Sequence, residues 1–217
     1  ASMSLTPDEI RHLKRPYTPE AVKWRADQKT PDSAGNCRCL VYLDSGLVRE
    51  RLSDVDPSWS AAYRFMHAST SDPIGHGLYA PTMCELTVKG ITRVDIGTIQ
   101  SSKPSPTTAK AAISDALKRA AVNYGIGAYL RAMPVFKVDA KGYWKKGSGD
   151  VGGLTPEGVK QLRQQYTKIV THKLFVERWG DPIDYGDVAD DERSAQPIQL
   201  TVDAPTPVTT PRNRTAR

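Results

Sequence analysis

The sequence has no long apolar run, and this absence excludes one class of protein at the outset. No stretch of the 217 residues approaches the roughly 18 consecutive apolar residues that a membrane-spanning helix needs. The N-terminal region also lacks the charged-then-apolar order of a secretory signal. We therefore expect an intracellular protein without a membrane partner.

Cysteine and histidine are scarce as well. The three cysteines, Cys37, Cys39 and Cys84, are odd in number and show no CxxC spacing, which argues against a disulfide framework. The four histidines are scattered along the chain, so the sequence offers no spacing typical of a structural zinc site. We expect reduced thiols and no bound metal.

Sequence motifs of the common catalytic sites are also missing. There is no GxxxxGK[ST] phosphate loop, no GxSxG and no HExxH. A literal GxGxxG at Gly147, Gly149 and Gly152 follows "GYWKK" instead of a buried strand, and the next helix start comes later, at Thr155. We interpret it as a loop and expect no catalytic residue, no cofactor and no enzymatic activity.

Positive charge is what the chain has in excess. The formal net charge is +6, and it is distributed unevenly. Residues 1–180 carry 26 bases and 17 acids, whereas residues 181–217 carry four bases and seven acids. A basic body favours a polyanionic partner, most often a nucleic acid, although a basic surface also serves solubility alone.

Local patterns predict both helices and strands. A hydroxyl residue followed by proline marks four helix starts, at Thr6, Thr18, Ser105 and Thr155. Period-two alternation predicts strands at 38–44, 59–67, 79–89 and 91–99, the last two joined by a tight hairpin at "VKGI". Residues 45–57 and 156–179 have helical spacing, and 135–144 fits a small hairpin.

The clearest pattern is the helix predicted for 106–124. Its apolar stripe is built mostly from alanines, which let a helix approach a sheet closely, while Lys110, Lys118 and Arg119 lie on the remaining circumference. The fold class expected is α+β: a mostly antiparallel sheet of three to four strands against this helix, with flanking helices. We expect a domain over 3–180 and a flexible, mildly acidic tail over 181–217.

Two groups of residues are candidates for binding. Lys118 and Arg119 form an adjacent pair of cations within the long helix, and Arg38 and Tyr42 alternate with apolar residues on a strand. Each group could equally be a solvated face. Their occurrence together favours a groove for a single-stranded nucleic acid, in which cations meet phosphates and rings meet bases.

Four stretches, in this order, resemble a known family: "TPEAVKWR" (18–25), "CLVYLDSGLVRERLSDV" (39–55), "CELTVKGITRVDIG" (84–97) and "SDALKRAAVNYGIGAYL" (114–130). They are similar to the Rad52 superfamily of single-strand annealing proteins, in particular to the branch of DNA damage response protein A and related bacteriophage recombination proteins. The resemblance covers about residues 15–134.

The resemblance implies an ATP-independent protein of homologous recombination and double-strand break repair. Such a protein forms rings or arcs and holds single-stranded DNA in a basic groove for annealing. The DNA-binding residues implied by the resemblance are Arg25, Tyr42, Lys118 and Arg119, with Lys89 and Lys110 near a second, outer site. Arg38 is added to them from its position beside Tyr42 on the polar side of the predicted strand. Val122 departs from the eukaryotic pattern, which has an arginine there.

The resemblance also implies partners and a compartment. We expect self-association and binding of single-stranded DNA, in the cytoplasm of a bacterial or phage-infected cell. From the acidity and missing periodicity of the tail, and not from the resemblance, we expect the tail to recruit a single-strand-binding protein or a recombinase. A double-strand DNA-binding regulator, a structural oligomer with an incidental basic face, and a metal-dependent nuclease are the alternatives.

Overall fold

The fold is described from a computed structural model of the chain. The structure describes residues 4–26, 32–65, 78–79, 81–98, 100–101, 106–139, 141–144, 153–185 and 199–201. The GxGxxG glycines at 147 and 149 lie outside the described residues, as does Gly152, and so does most of the predicted tail.

Five α-helices and one short 3-10 helix are present in the described parts of the chain. The α-helices are α1 (Pro7–Lys14), α2 (Ser45–Val55), α3 (Pro106–Val122), α4 (Pro156–Val170) and α5 (Lys173–Trp179), and the 3-10 helix is Ala128–Ala132. Thr6 and Thr155 cap α1 and α4 as predicted, because each hydroxyl accepts a hydrogen bond from a backbone N–H of the first turn.

Eleven short strands are found among the described residues. They are β1 (Lys23–Ala26), β2 (Cys37–Tyr42), β3 (Ser60–Phe65), β4 (Leu78–Tyr79), β5 (Thr82–Val88), β6 (Ile91–Gly97), β7 (Gln100–Ser101), β8 (Phe136–Val138), β9 (Tyr143–Trp144), β10 (Gly153–Leu154) and β11 (Gln199–Thr201). They form two main sheets, with the orders β1-β2-β8 and β11-β3-β5-β6, and the small pairs β4-β7 and β9-β10. All pairings are antiparallel except β11 with β3.

In the sheet β1-β2-β8, the inner side is packed against α4. Trp24 on β1 contacts Phe136 on β8 and Tyr166 on α4 edge to face, with ring centroids 5.1 and 5.8 Å apart. The Gln165 amide also donates to the Lys137 carbonyl at 2.7 Å, which ties α4 to β8. Cys37, Cys39 and Val138 are buried on the same side, so the opposite side of the sheet faces outward.

In the sheet β11-β3-β5-β6, helix α3 covers one side. Cys84, Leu86 and Val88 on β5 are fully buried under it, and so is its own stripe of alanines and leucine, Ala112, Ala116, Leu117, Ala120 and Ala121. Strands β5 and β6 are joined by the predicted tight hairpin, in which both Lys89 and Gly90 adopt positive φ. The α+β class and the long helix on an antiparallel sheet are therefore confirmed.

Gly97 sets how closely α3 approaches β6. A Cβ atom at this position would lie 2.3 Å from the backbone nitrogen of Ala116 and 2.7 Å from the carbonyl oxygen of Ala112. Backbone atoms within α3 cannot move aside without breaking helical hydrogen bonds. The helix and the strand thus meet backbone to backbone, through a glycine on one side and alanines on the other.

A buried arginine connects α1, α2 and the segment that follows α5. The Arg51 guanidinium lies 4.1 Å above the Tyr17 ring and donates to the carbonyls of His12 and Arg15. Its Nε donates to the Tyr185 hydroxyl at 2.6 Å. Residues 181–185, expected at the start of a flexible tail, therefore pack on the domain, where Ile183 also pairs with Tyr17.

Three local predictions are wrong. No helix begins at Thr18, where residues 19–21 form a turn that leads into β1, a strand that the sequence patterns did not predict. Residues 135–144 do not form a hairpin, because β8 pairs with β2 and β9 pairs with β10. The helix predicted for 156–179 is interrupted at 171–172, which separates α4 from α5.

We predict that Gly97→Ala destabilises the domain by about 3 kcal/mol or more, because the added methyl group meets backbone atoms that cannot relax. Chemical denaturation at equilibrium measures the change. Gly35→Ala is the control, since a Cβ there has no neighbour within 4 Å and the cost is only that of a positive φ, about 1 kcal/mol. If both substitutions lowered the free energy of unfolding by the same amount, the role of Gly97 in the close contact between α3 and β6 would be contradicted.

Candidate nucleic-acid interface

The outer side of the sheet β1-β2-β8 collects cations from all three strands. Cross-strand register places Lys23 opposite Tyr42, Arg25 opposite Leu40 and Arg38 opposite Lys137. We call these six residues the cationic sheet face. Residues two apart on a strand are about 7 Å apart, and directly opposite residues are about 5 Å apart, so the charges lie within one small area.

Three of the predicted site residues meet on this face. Arg25, Arg38 and Tyr42 all point outward, and Tyr42 is 39% exposed, which leaves part of its ring open to solvent. Sequence reasoning missed Lys23 and Lys137. Lys23 is in "TPEAVKWR" two residues before Arg25, and this spacing would have identified it once β1 was recognised as a strand.

Arg38 and Lys137 are like charges directly across a strand pair, an arrangement that destabilises a sheet. Lys137 is partly compensated by Asp32, whose Oδ2 lies 3.1 Å from the lysine Nζ. Hydrogen bonding from the Asn36 N–H, together with Lys137, lowers the pKa of Asp32 below its usual value. A cluster of cations on one side of a sheet is a suitable surface for a polyanion.

The cations of α3 occupy different sides of the helix. The Arg119 Nε lies 3.2 Å from Asp115 Oδ2, and Asp115 also accepts from the Thr98 N–H at the end of β6. Arg119 therefore lies on the side of α3 that faces β6, and Asp115 partly compensates its charge. Lys118 is about 100° further round the helix and half-buried, with no ion-pair partner among the described residues. Lys110 is exposed and lies about two turns before Lys118 on the same helix.

Lys89 is engaged within the domain. Its ammonium group forms an ion pair with Glu9 on α1, and its backbone N–H donates to Asp56 after α2. These contacts dock the β5–β6 hairpin onto the two helices. The Lys89 hydrogen bond, followed by the one to the Thr6 backbone, lowers the pKa of Glu9.

Among the described residues, no cluster of three or more histidine, cysteine or carboxylate side chains could hold a metal ion. In the same part of the chain, no helix combines the length and apolar character needed to cross a bilayer. The three cysteines are buried and form no disulfide. The groups that the cationic sheet face offers to a ligand are four cations and one open aromatic ring.

A sheet with an outward cationic face, beside a second sheet covered by a long helix, is an arrangement suited to a nucleic-acid-binding α+β domain. Comparison with known proteins makes the class specific: residues 9–148 match the model of the Rad52/22 family of double-strand break repair proteins, and the chain belongs to this family.

Two relatives from Deinococcus extend the comparison. The chain is 36% identical over 129 residues to a protein of Deinococcus deserti and 33% identical over 129 residues to one of Deinococcus radiodurans, each named single-stranded DNA-binding protein DdrA. Each alignment covers 58% of this chain and spans 58% and 56% of the respective relative. Helices α4 and α5 lie beyond the residues matched by the family model.

We predict that Lys89→Met lowers stability at pH 7 but not in acid. The pKa of Glu9 is lower in the folded chain than its ordinary value of 4.5. The ion pair with Lys89 therefore stabilises the fold fully above pH 4.5, and this stabilisation is lost as the pH falls through the lowered pKa. Thermal unfolding of both proteins across this range measures the effect. A difference in unfolding temperature that persists at pH 2 would mean that Lys89 acts through packing instead of charge.

Proposed function

We propose that the protein binds single-stranded DNA without sequence preference and anneals complementary strands, as an oligomer, in recombination and double-strand break repair. The observation that carries this proposal is the cationic sheet face, where four cations and an exposed tyrosine lie on the same side of one sheet. The names of the Deinococcus relatives and membership of the Rad52/22 family support the choice of single-stranded DNA.

The chemistry of the face suits an unpaired strand. Arginine and lysine side chains neutralise phosphates, and an open aromatic ring stacks with any base, so binding needs no particular sequence. A duplex offers no exposed base faces to Tyr42. The alternative of a double-strand DNA-binding regulator would require a free recognition helix, whereas α3 is buried along its alanine stripe.

On α3, Lys118 and Arg119 form a second group of proposed contacts, and Lys110, on a different side of the helix, is proposed to lie near an outer site. Within this second group, Lys118 is the strongest candidate, because its ammonium group has no carboxylate partner in the described structure. To bind DNA, the Arg119 guanidinium must replace its ion pair with Asp115 by one with a phosphate. We do not include Lys89 in the interface, since its ion pair with Glu9 already fixes it to α1.

The salt dependence of binding is the slope of the logarithm of the binding constant against the logarithm of the salt concentration. We predict that the double variant Arg25→Gln/Arg38→Gln makes this slope for oligo-dT shallower by about 1.4, because each lost phosphate contact contributes about 0.7. Lys118→Gln/Arg119→Gln should reduce it by less, since Asp115 already offsets one charge. Fluorescence anisotropy titrations between 50 and 300 mM salt, about the range where such contacts are most visible, measure both slopes.

The matched control is Lys160→Gln/Arg163→Gln on the exposed side of α4, which removes the same net charge away from both groups. Unchanged slopes in both test variants, or an equal fall in the control, would contradict a localised interface. Annealing of complementary oligonucleotides in EDTA without nucleotide, and competition between single and double strands, test the rest of the proposal.

Self-association is proposed through the uncovered side of β3-β5-β6. Val94 and Ile96 on the edge strand β6 are 49% and 39% exposed, and Ile96 lies opposite Met83. An exposed apolar area beside a strand edge that has no further strand in the described structure is a surface that a second copy can cover.

We predict that Val94→Asp/Ile96→Asp reduces the mean number of subunits per particle, measured by mass photometry, because burying two carboxylates at an interface is costly. Val135→Asp, at an apolar residue that is 57% exposed elsewhere on the surface, serves as the control. An unchanged particle mass in the double variant would place the contact between subunits on another surface.

A further inference from the structure

A groove on α4 and α5 is not used by the proposed DNA interface. It encloses about 370 Å³ where the last turn of α4, the 171–172 break and α5 come together beside Ala132. We call it the α4–α5 groove. Apart from Ala132, its lining residues lie outside the part of the chain that matches the Rad52/22 family model.

The lining of the groove is apolar, and it remains partly uncovered. Ile169, Phe175 and Trp179 form its inner side, and Leu174 at its rim is 69% exposed, the highest value for a large apolar side chain in the described structure. Helix α5 has no fully buried residue. Leu174 extends the apolar lining of the groove into solvent, and contiguous exposed apolar area of this kind is typical of binding surfaces.

The polar side chains that line the groove are basic. Lys168, His172 and Arg178 line it, and none of the described lining residues is a carboxylate. Lys168 and Arg178 are both exposed, which leaves their charges accessible. The nearest acid on α5, Glu177, faces Lys173 at 3.9 Å and does not line the groove. A ligand that fits must combine negative charge with an apolar side chain.

Single-stranded DNA fits this groove poorly. The Phe175 and Trp179 rings are directed edge-on at Tyr129, with centroids 6.3 and 6.4 Å from its ring. The Arg178 guanidinium lies over the Trp179 ring at 5.1 Å and covers one face of it. Base stacking needs an open aromatic face, whereas the open apolar group here is the aliphatic Leu174.

The described residues on either side of an acidic stretch of the same chain contact other elements. Residues 187–192 carry four of its acids, and this stretch follows Tyr185, whose hydroxyl is fixed by Arg51 and Asp54. On its other side, Gln199–Thr201 pairs with β3. Both anchors are on elements other than α4 and α5. The geometry points to an acidic peptide segment of a partner protein, with a large apolar side chain next to its carboxylates, as the ligand of the α4–α5 groove.

The test uses the full chain and fluorescein-labelled heptapeptides in anisotropy titrations. The probe is Asp-Glu-Asp-Gly-Leu-Phe-Gly; one comparison peptide replaces its acids by glutamine and asparagine, and the other replaces Leu-Phe by Ser-Ser. We expect the probe to bind, each comparison peptide to bind about tenfold more weakly, and the affinity of the probe to fall with salt.

Two variants and a control locate the site. Lys168→Glu/Arg178→Glu and, separately, Leu174→Ser should each weaken probe binding about tenfold or more while oligo-dT binding stays unchanged. Lys160→Glu, exposed on α4 but outside the groove, should leave both unchanged. Phe175 and Trp179 are kept, because they also pack against Tyr129.

Three results would overturn the proposal. The first is equal binding of all three peptides, or no binding at all. The second is loss of oligo-dT affinity in the charge-reversal variant, which would make the groove part of the DNA surface. The third is a lower particle mass in the Leu174→Ser variant, which would make it a contact between copies of the chain. Since oligo-dT binding is measured separately, failure here and failure of the proposed DNA function are distinguishable.

Discussion

The close contact between α3 and the strand β6 fixes how the long helix lies on its sheet. Gly97 removes the side chain that would otherwise hold the helix away, and the alanines at 112 and 116 do the same from the helix side. At this distance the helix cannot rotate without a backbone clash. The rotation of α3 is therefore fixed, and with it the direction of every polar side chain that the helix carries.

This fixed rotation decides which cations remain available. It turns Asp115 and Asn123 toward β6, where they contact the Thr98 N–H and the Val94 carbonyl, and it brings Arg119 to the same side. Lys118 is left on another side of the helix. Two adjacent cations in the sequence thus have different electrostatic surroundings, and only one of them has a carboxylate partner in the described residues.

The cationic sheet face depends on a separate set of contacts. Trp24, Phe136 and Tyr166 pack together behind the sheet, and because side chains alternate along a strand, they force Arg25, Arg38 and Lys137 outward. Helix α4, which provides Tyr166, lies outside the family match. In this chain a helix beyond the matched region therefore supports a face within it, and its outer end also forms the α4–α5 groove.

The sequence by itself determined the α+β class, the capped starts of α1 and α4, the β5–β6 hairpin and the alanine-striped α3, because each depends on residues close together in the chain. It also identified the outward alternation of Arg38 and Tyr42. It could not show that "KWRA" is a strand or that 136–138 pairs with β2, since four- and three-residue segments carry no usable period and are specified by their partners. Only the tertiary structure paired Lys89 with Glu9, separated Arg119 from Lys118 and joined Lys137 to the cationic face, because these relations depend on which distant backbones come into contact.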